Sequence, residues 1–246
     1  QRENLEKTKK LEAWAEMARQ VAHEVKNPLT PIQLSTQHLL RVYGDDGVDF
    51  EKVLRECSET ILEQVKALRQ ISMEFSTFAS EAPLELSSVD VPALVRETLA
   101  PYQSSRPEGV SIAVDVPSPV PEIQADARLL KRTLVNLVEN ALHALDGSGA
   151  IVVRVAEDGA GFVRVVVADD GVGIESEMKE RVFEPYFSTR AAGTGLGLAI
   201  ARKVVEDHGG TIALDSEPGE GTRVTLRLPV APGVTRHRVP PPRAAT

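Results

Sequence analysis

Aromatic residues, cysteine and long apolar runs are all scarce in this chain of 246 residues. Aromatic residues make up 4% of it, so leucine, valine, isoleucine and alanine must form most of any core. The single cysteine, Cys57, excludes an internal disulfide and indicates a reducing compartment. No segment reaches the roughly 18 consecutive apolar residues of a membrane helix, and no signal peptide opens the chain. We therefore expect no membrane contact within this fragment.

An excess of positive charge is also missing. Lysine and arginine number 28 against 36 aspartate and glutamate residues, which gives a formal net charge of -8. Because nucleic acid is itself strongly negative, we exclude it as the main partner. The chain opens at Gln1 rather than at methionine. We therefore expect an excised fragment whose upstream part holds a sensor and a membrane anchor.

Residues 1–80 predict a long helical hairpin. Apolar residues recur at steps of three or four from Leu11 to Leu29 and again from Leu54 to Phe78, with a turn signal at 44–47. Two helices alone bury too little of these stripes, so we expect a homodimer in which two hairpins form a four-helix bundle. Pro28 and Pro31 interrupt the first helix. Because the apolar pattern continues beyond them, we predict a bend rather than a helix end.

Residues 84–230 predict a second domain of mixed helices and strands. Helices are predicted at 91–104, with Asp90 as the N-cap, at 126–145 and at 195–207. Strands are predicted at 110–116, 151–155, 162–168, 211–215 and 222–228. This order indicates an α+β two-layer sandwich in which helices cover one face of an open sheet. Residues 231–246 carry four prolines and no apolar period, which predicts a flexible tail.

Two asparagines on the predicted helix 126–145 are candidate metal ligands. Asn136 and Asn140 lie four residues apart and so share one face of the helix. A carboxamide oxygen is a hard, neutral ligand that suits Mg²⁺, an ion that keeps several waters and bridges phosphates. A single helical asparagine is more often a cap or a solvated residue. The apolar residues around this pair weaken that explanation.

Asp169 and the glycines after it are candidates for binding a nucleotide base. The residue follows a predicted strand and precedes Gly171 and Gly173. A carboxylate at a strand end can accept a hydrogen bond from the exocyclic amine of adenine, and the glycines let the base approach the main chain closely. Ile174 would then form part of the floor beneath the base. Turns favour the same residue types, so this motif alone is only moderately specific.

A second glycine-rich segment, 193–197, leads directly into a predicted helix. Main-chain N–H groups there can surround phosphate oxygens, and the helix N-terminus adds positive potential. Arg190 could reach a phosphate across the loop or remain solvated. The segment does not follow a strand and lacks Gly-Lys-Ser/Thr, so Rossmann and P-loop folds are disfavoured. The candidate residues are Gly193, Thr194, Gly195, Leu196 and Gly197.

Three aromatic residues, Phe183, Tyr186 and Phe187, lie in a loop-rich span between the two glycine segments. Aromatic side chains can pin such a span to the core. A lid that closes over a nucleotide also needs an apolar anchor. We interpret these residues as serving both purposes.

Together with His23, these segments resemble the sensor histidine kinases of two-component signalling. Residues 23–31 resemble the phosphoacceptor box of that family, and the residues at 26–31 are similar to those of the nitrogen-regulation class. The other boxes are the N box at 136–140, the first glycine box at 169–173, the F box at 183–187 and the second glycine box at 193–197. The resemblance covers nearly all of residues 10–229. It implies a Bergerat (GHKL) ATP-binding fold for the second domain, shared with gyrase, the Hsp90 chaperones and the mismatch-repair ATPases.

The resemblance implies a site for ATP and Mg²⁺. Asn140 would be the principal metal ligand, supported by Asn136. Asp169 would read adenine, while Thr194 and the glycines around it would hold the phosphates. The fragment would belong to the cytoplasmic part of a membrane-anchored bacterial sensor.

The resemblance also implies how phosphate is transferred. His23 would attack the γ-phosphate through a neutral ring nitrogen, which suits imidazole because its unperturbed pKa is about 6.5. Glu24 would hold or deprotonate the ring, although an exposed helix carboxylate is an equally ordinary explanation. The phosphoryl group would then pass to an aspartate on the receiver domain of a response regulator. Asn27 would position water for a phosphatase activity, which is a separate hypothesis.

Two other functions compete with this interpretation. A Bergerat-fold ATPase resembles the chain in its nucleotide boxes but typically carries a water-activating glutamate four residues before the metal-binding asparagine. That position is Asn136 here, and Glu139 is turned by roughly 100° around the helix from Asn140. A degenerate adaptor would have lost the phosphoacceptor, the metal ligand or the glycine boxes, and none is lost here.

The remaining histidines offer no zinc spacing. His38 lies on the first predicted helix and is interpreted as a surface or seam residue. His208 ends the predicted helix 195–207, where the helix dipole favours a cation.

Overall fold

The structure is a computed structural model that describes residues 2–45, 49–79, 83–159, 161–188 and 194–231. The chain divides into two compact units, one formed mainly by residues 1–80 and the other mainly by residues 81–246. The predicted tail lies outside the described residues from 232 onward. No helix in the described ranges is both long enough and apolar enough to cross a membrane.

The first unit is a helical hairpin, as the sequence predicts. Helix α1 spans Arg2–Val42 and packs against helix α2, which spans Phe50–Ala79. The helix α1 continues through Pro28 and Pro31, so the prolines do not end it. The hydroxyl of Thr30 donates to the carbonyl oxygen of Lys26 over 3.2 Å. The bend at the prolines stays a prediction.

The second unit contains three helices and seven strands among its described residues. The helices are α3 (Val91–Ser104), α4 (Ala127–Ala144) and α5 (Gly197–Asp207). The strands are β1 (Ser87–Val89), β2 (Val110–Asp115), β3 (Ile123–Ala125), β4 (Gly149–Glu157), β5 (Phe162–Asp169), β6 (Thr211–Glu217) and β7 (Gly221–Pro229). Two short 3₁₀ turns, Ser176–Met178 and Arg181–Phe183, lie between β5 and α5.

Five of the strands form one open sheet in the order β2-β4-β5-β7-β6. The first pair, β2 and β4, is parallel, and the other pairs are antiparallel. Alternate residues are buried along β4, β5 and β7, so that one face of the sheet forms the core beneath the helices. These core residues are Ile151, Val153, Val155, Val163, Val165, Val167, Val224, Leu226 and Leu228. The predicted two-layer α+β sandwich is confirmed.

The helix starts depend on aspartate caps. The Asp90 side chain accepts a hydrogen bond from the N–H of Ala93 over 2.9 Å, which confirms the predicted cap. Asp126 does the same for α4 by accepting from Arg128 and Leu129, so this helix begins at Ala127, one residue later than predicted. The sequence did not predict β1 and β3, which pair with each other in a separate two-stranded sheet.

Candidate nucleotide and phosphoacceptor sites

The two asparagines of α4 lie beside the start of α5. Asn136 is 5% exposed, and its Nδ2 donates to the carbonyl oxygen of Gly197 over 3.3 Å. A Cβ placed on Gly197 would lie 3.8 Å from Nδ2 of Asn140, so both asparagines are close to this glycine. The fold therefore brings the N motif and the second glycine segment together. Asn140 is half-buried.

Asp169 ends β5 with one carboxylate oxygen fixed by the main chain. Its Oδ1 accepts from the N–H of Gly171 over 3.0 Å and from the N–H of Thr222 over 3.2 Å. Burial raises the pKa of this carboxyl above its ordinary value, and the charge of Asp170 adds to that rise, whereas the two hydrogen bonds oppose it. The carboxyl group thus has one oxygen held in place and a second oxygen that neither of these bonds uses.

The loop after Asp169 needs its glycines. Gly171 packs so closely on α4 that a Cβ would lie 2.5 Å from the carbonyl oxygen of Ala144. Gly173 has φ +71, and a Cβ there would overlap the main chain of Glu217. Ile174 is half-buried, and its N–H donates to the hydroxyl of Ser216 over 2.9 Å.

The second glycine segment is described from Thr194 onward, whereas Arg190 and Gly193 lie outside the described residues. Helix α5 begins at Gly197 rather than at the predicted 195, because Gly195 has φ +65, which is not a helical value. The carbonyl oxygen of Gly195 accepts from the N–H of Tyr186 over 3.0 Å. Leu196 is 1% exposed, so its side chain belongs to the core and only its main chain could face a ligand.

The predicted aromatic anchors make specific contacts. The guanidinium of Arg202, on α5, lies 5.2 Å from the ring centroid of Phe183, and that of Arg181 lies 4.4 Å from the ring of Phe187. Val182, the residue before Phe183, is 8% exposed. The sequence analysis missed Val182, although it is an apolar residue directly before the aromatic motif 183–187.

The three candidate residues of the first unit lie on α1. His23 and Asn27 are exposed and stand one helical turn apart, while Glu24 is half-buried and the next residue after Asn27, Pro28, is buried. A phosphoryl acceptor must be reachable, and the exposure of the imidazole meets that requirement within the chain.

Glu139, the residue considered as an ATPase base, has another partner. The hydroxyl of Tyr102, on α3, donates to Oε1 of Glu139 over 3.1 Å. Burial, followed by the charge and the hydrogen bond of Glu139, raises the pKa of Tyr102 to about 12. Glu139 therefore points toward α3, which agrees with its turn away from Asn140. Among the described residues, no three histidine, cysteine, aspartate or glutamate side chains gather into a metal site.

Comparison with known proteins adds two family matches. Residues 13–80 match the His Kinase A (phospho-acceptor) domain. Residues 125–232 match the histidine kinase-, DNA gyrase B- and HSP90-like ATPase domain. The chain belongs to the sensor histidine kinases of two-component systems. Both matches agree with the resemblance in the motifs, and the second supports the use of ATP.

Curated sensor kinases are similar along most of this kinase chain. It is 37% identical to the nitrogen regulation protein NtrY of Azorhizobium caulinodans over 224 residues, which is 88% of this chain and 29% of the relative. It is 36% identical to the sensor histidine kinase ZraS of Klebsiella oxytoca, over 90% of this chain and 47% of the relative. The chain thus spans less than half the length of these two relatives.

Solved structures of histidine kinases share the fold. The catalytic domain of the histidine kinase ThkA is 33% identical, covers 60% of this chain and 97% of its own, and has a TM-score of 0.55. A crystal structure of ThkA in complex with the response regulator protein TrrA covers 95% of this chain and 66% of that chain, with 27% identity and a TM-score of 0.74. The predicted order of a helical hairpin followed by a GHKL ATPase domain is confirmed.

Proposed function

We propose that the protein transfers the γ-phosphoryl group of ATP to His23 and then passes it to an aspartate of a response regulator. One observation carries this proposal. A histidine exposed on a helical hairpin stands in the same chain as an ATPase-type domain in which Asn136 of the N motif bonds to Gly197 of the second glycine segment. In that domain Asp169 ends a strand of the sheet, with its carboxylate held by two main-chain N–H groups.

The adenine would be read by Asp169. Its Oδ1 is already engaged by two main-chain N–H groups, which leaves Oδ2 to accept the exocyclic amine. Gly171 and Gly173 let the loop after Asp169 pack closely on α4 and on the main chain of Glu217, and Ile174 would contribute to the floor. Thr194, Gly195, Gly197 and the main chain of Leu196 would hold phosphate oxygens, and the same role is proposed for Arg190 and Gly193.

The residues of α4 fit a magnesium ion. Nδ2 of Asn136 is bonded to Gly197, so its Oδ1 is the atom that remains for a ligand, and Asn140 offers a second neutral oxygen one turn later. When bound, Mg²⁺ would neutralise charge on the phosphate oxygens. The residues of the protein would hold the nucleotide, and the bond from Asn136 to Gly197 fixes the start of α5 beside it.

His23 would form a bond between a ring nitrogen and the γ-phosphorus while the bond from that phosphorus to the β,γ-bridging oxygen breaks and ADP leaves. The ring proton would pass to Glu24 or to water. In a separate phosphatase reaction, Asn27 would orient a water molecule that attacks the phosphorus of the aspartyl phosphate on the response regulator, so that the bond to the aspartate oxygen breaks and inorganic phosphate is released. Its exposure one turn from His23 supports this role.

The hairpin would dimerise. Among the described residues of its two helices, six large apolar side chains are exposed in the single chain, at fractions between 43% and 74%, and such a density marks a contact surface. Pairing two hairpins into a four-helix bundle would bury them. These residues are Leu29, Leu34, Leu40, Leu54, Leu62 and Met73. The receiver domain of a response regulator is the proposed second partner, and the complex of ThkA with TrrA supports it.

Incubation with γ-labelled ATP and Mg²⁺ tests the proposal. We expect protein-bound label that is labile in acid and stable in alkali, as a phosphohistidine is. The label should be absent from His23→Gln and retained in His38→Gln, which changes another exposed histidine of α1. Release of inorganic phosphate without any labelled protein would favour the ATPase instead.

A further inference from the structure

A buried hydroxyl joins the β6–β7 hairpin to the loop that follows Asp169. Ser216, on β6, is 4% exposed. Its Oγ accepts from the N–H of Ile174 over 2.9 Å and donates to the carbonyl oxygen of Gly221 over 2.8 Å. The hydroxyl of Thr222 lies 3.0 Å away, and because the Ser216 proton is used on Gly221, the Thr222 hydroxyl is the donor in that contact.

The same hairpin holds the loop at further points. The N–H of Gly219, in the turn, donates to the carbonyl oxygen of Val172 over 2.8 Å. The backbone of Gly173 packs directly against Glu217. These two contacts are made by the main chain. The contact with the N–H of Ile174 is different, because it is made by a side chain, that of Ser216.

Thr222 extends this connection to Asp169. Its N–H donates to Oδ1 of Asp169, while its hydroxyl contacts Ser216. One serine thus supports the residues on both sides of the base-binding position: Ile174 directly, and Asp169 through Thr222. The Ser216 side chain is buried, and its hydroxyl is engaged by three protein groups.

We infer that Ser216 is a positioning residue that sets the preference of the site for adenine. This inference rests on the proposed function, in which Oδ2 of Asp169 accepts the exocyclic amine. Discrimination between a 6-amino and a 6-oxo purine depends on holding the acceptor oxygen in one orientation. Without the Ser216 hydroxyl, Ile174 loses its acceptor and Thr222 loses its partner, so the loop and the carboxylate gain freedom to rotate.

The test compares ATP with inosine triphosphate, which carries an oxygen in place of the exocyclic amine. For Ser216→Ala, we expect the KM for ATP in His23 labelling to rise about fivefold to tenfold, as the loss of one or two neutral hydrogen bonds implies. The KM for inosine triphosphate should change by less than about twofold, and kcat at saturating ATP should stay the same. The ratio of the two KM values is the decisive quantity, because a merely structural role would change both nucleotides equally.

Two further variants complete the test. Thr98→Val removes the hydroxyl of a residue that is 3% exposed; this hydroxyl bonds to Leu94 in its own helix, so the variant should leave the nucleotide ratio unchanged. Ser216→Thr keeps the hydroxyl and should have the same ratio of KM values as the parent. If Ser216→Ala does not fold, Ser216→Cys takes its place. An unchanged ratio in folded Ser216→Ala, or in Ser216→Cys where that variant replaces it, overturns the inference while the parent still labels His23. A parent that neither binds ATP nor labels His23 contradicts the proposed function itself.

Discussion

Nδ2 of Asn136 donates to the carbonyl oxygen of Gly197 over 3.3 Å, although the two residues are 61 positions apart in the chain. This bond ties the middle of α4 to the first residue of α5. It also fixes which side of the carboxamide is left for a ligand. The geometry of the proposed nucleotide site therefore depends on the side-chain donor of Asn136.

Replacing Asn136 with aspartate removes that donor with almost no change in shape. The introduced carboxylate would place an oxygen against the carbonyl oxygen of Gly197 in a site that is 5% exposed. We expect Asn136→Asp to lower the free energy of unfolding by about 1–3 kcal/mol and to weaken ATP binding. Urea unfolding and calorimetry measure the two effects. Asn27→Asp, on the exposed face of α1, is the matched control. It should leave the free energy of unfolding of the second unit and the affinity for ATP unchanged.

Asp169→Asn should exchange the base preference while keeping the fold. The two N–H donors from Gly171 and Thr222 would still bind Oδ1, so Nδ2 of the new side chain would face the exocyclic amine of adenine, donor against donor. We expect ATP affinity to fall by about tenfold to a hundredfold, and inosine triphosphate to lose much less. Equal losses for both nucleotides would show that Asp169 does not read the base.

The raised pKa of Asp169 gives a dependence of stability on pH. Its main cause is burial, so the folded chain holds the carboxyl proton more tightly than the unfolded chain does. The stability contributed by this group is present below its ordinary pKa and is lost as the pH rises through the folded pKa. Urea unfolding from acid to neutral pH should therefore show Asp169→Asn gaining stability relative to the parent. If the difference in free energy of unfolding between Asp169→Asn and the parent does not vary with pH, this prediction is contradicted.

His208 differs from its predicted role as a cation at a helix end. Its Nε2 accepts from the N–H of Asp126 over 2.9 Å, and its Nδ1 lies 2.7 Å from the carbonyl oxygen of Val204. Only a neutral ring that donates from Nδ1 satisfies both contacts. The side chain is 4% exposed and joins the end of α5 to the cap of α4.

His208→Leu should destabilise the second unit. It leaves the N–H of Asp126 buried without its acceptor, so we expect the free energy of unfolding to fall by about 1–3 kcal/mol. Chemical denaturation followed by circular dichroism measures it. His143→Leu, at an exposed position near the end of α4, should cost much less. A similar cost for the two variants would show that the buried bond is unimportant.

Tyr102 should titrate unusually high. Burial and Glu139 raise its pKa from 10.0 to about 12, so the hydrogen bond stabilises the fold below about pH 10 and is lost as the pH rises toward 12. Absorbance titration of tyrosinate should reveal this late ionisation in the parent and lose it in Tyr102→Phe. The ionisation that is present in the parent and missing from Tyr102→Phe belongs to Tyr102. If it occurs near pH 10, Tyr102 is not held by burial and Glu139 as described.

Much of the fold follows from local sequence patterns. The helices α3 and α4 could be placed because Asp90 and Asp126 mark their starts and apolar residues recur along them. The strands of the sheet could be placed because their residues alternate. The strands β1 and β3 could not, since three residues are too few to show a period and each depends on pairing with the other.

The candidate site was predictable in its parts and not in its connections. The residue types at Asn136, Asp169 and Gly173 predict a nucleotide site from the sequence alone, and their individual roles stay predictions. The contacts of Ser216 with Ile174, and of His208 with Asp126, join segments 42 and 82 residues apart, and no local pattern marks them. A serine in a strand and a histidine at a helix end have many ordinary roles, so only the fold reveals their partners.

The most direct measurement of the central claim is to locate the phosphoryl group after incubation with ATP and Mg²⁺. Tandem mass spectrometry at neutral to alkaline pH keeps the phosphorus–nitrogen bond intact. We predict phosphorylation of His23, with the other histidines unmodified. ATP consumed with no modification of His23, or phosphate found on a different residue, would contradict the account.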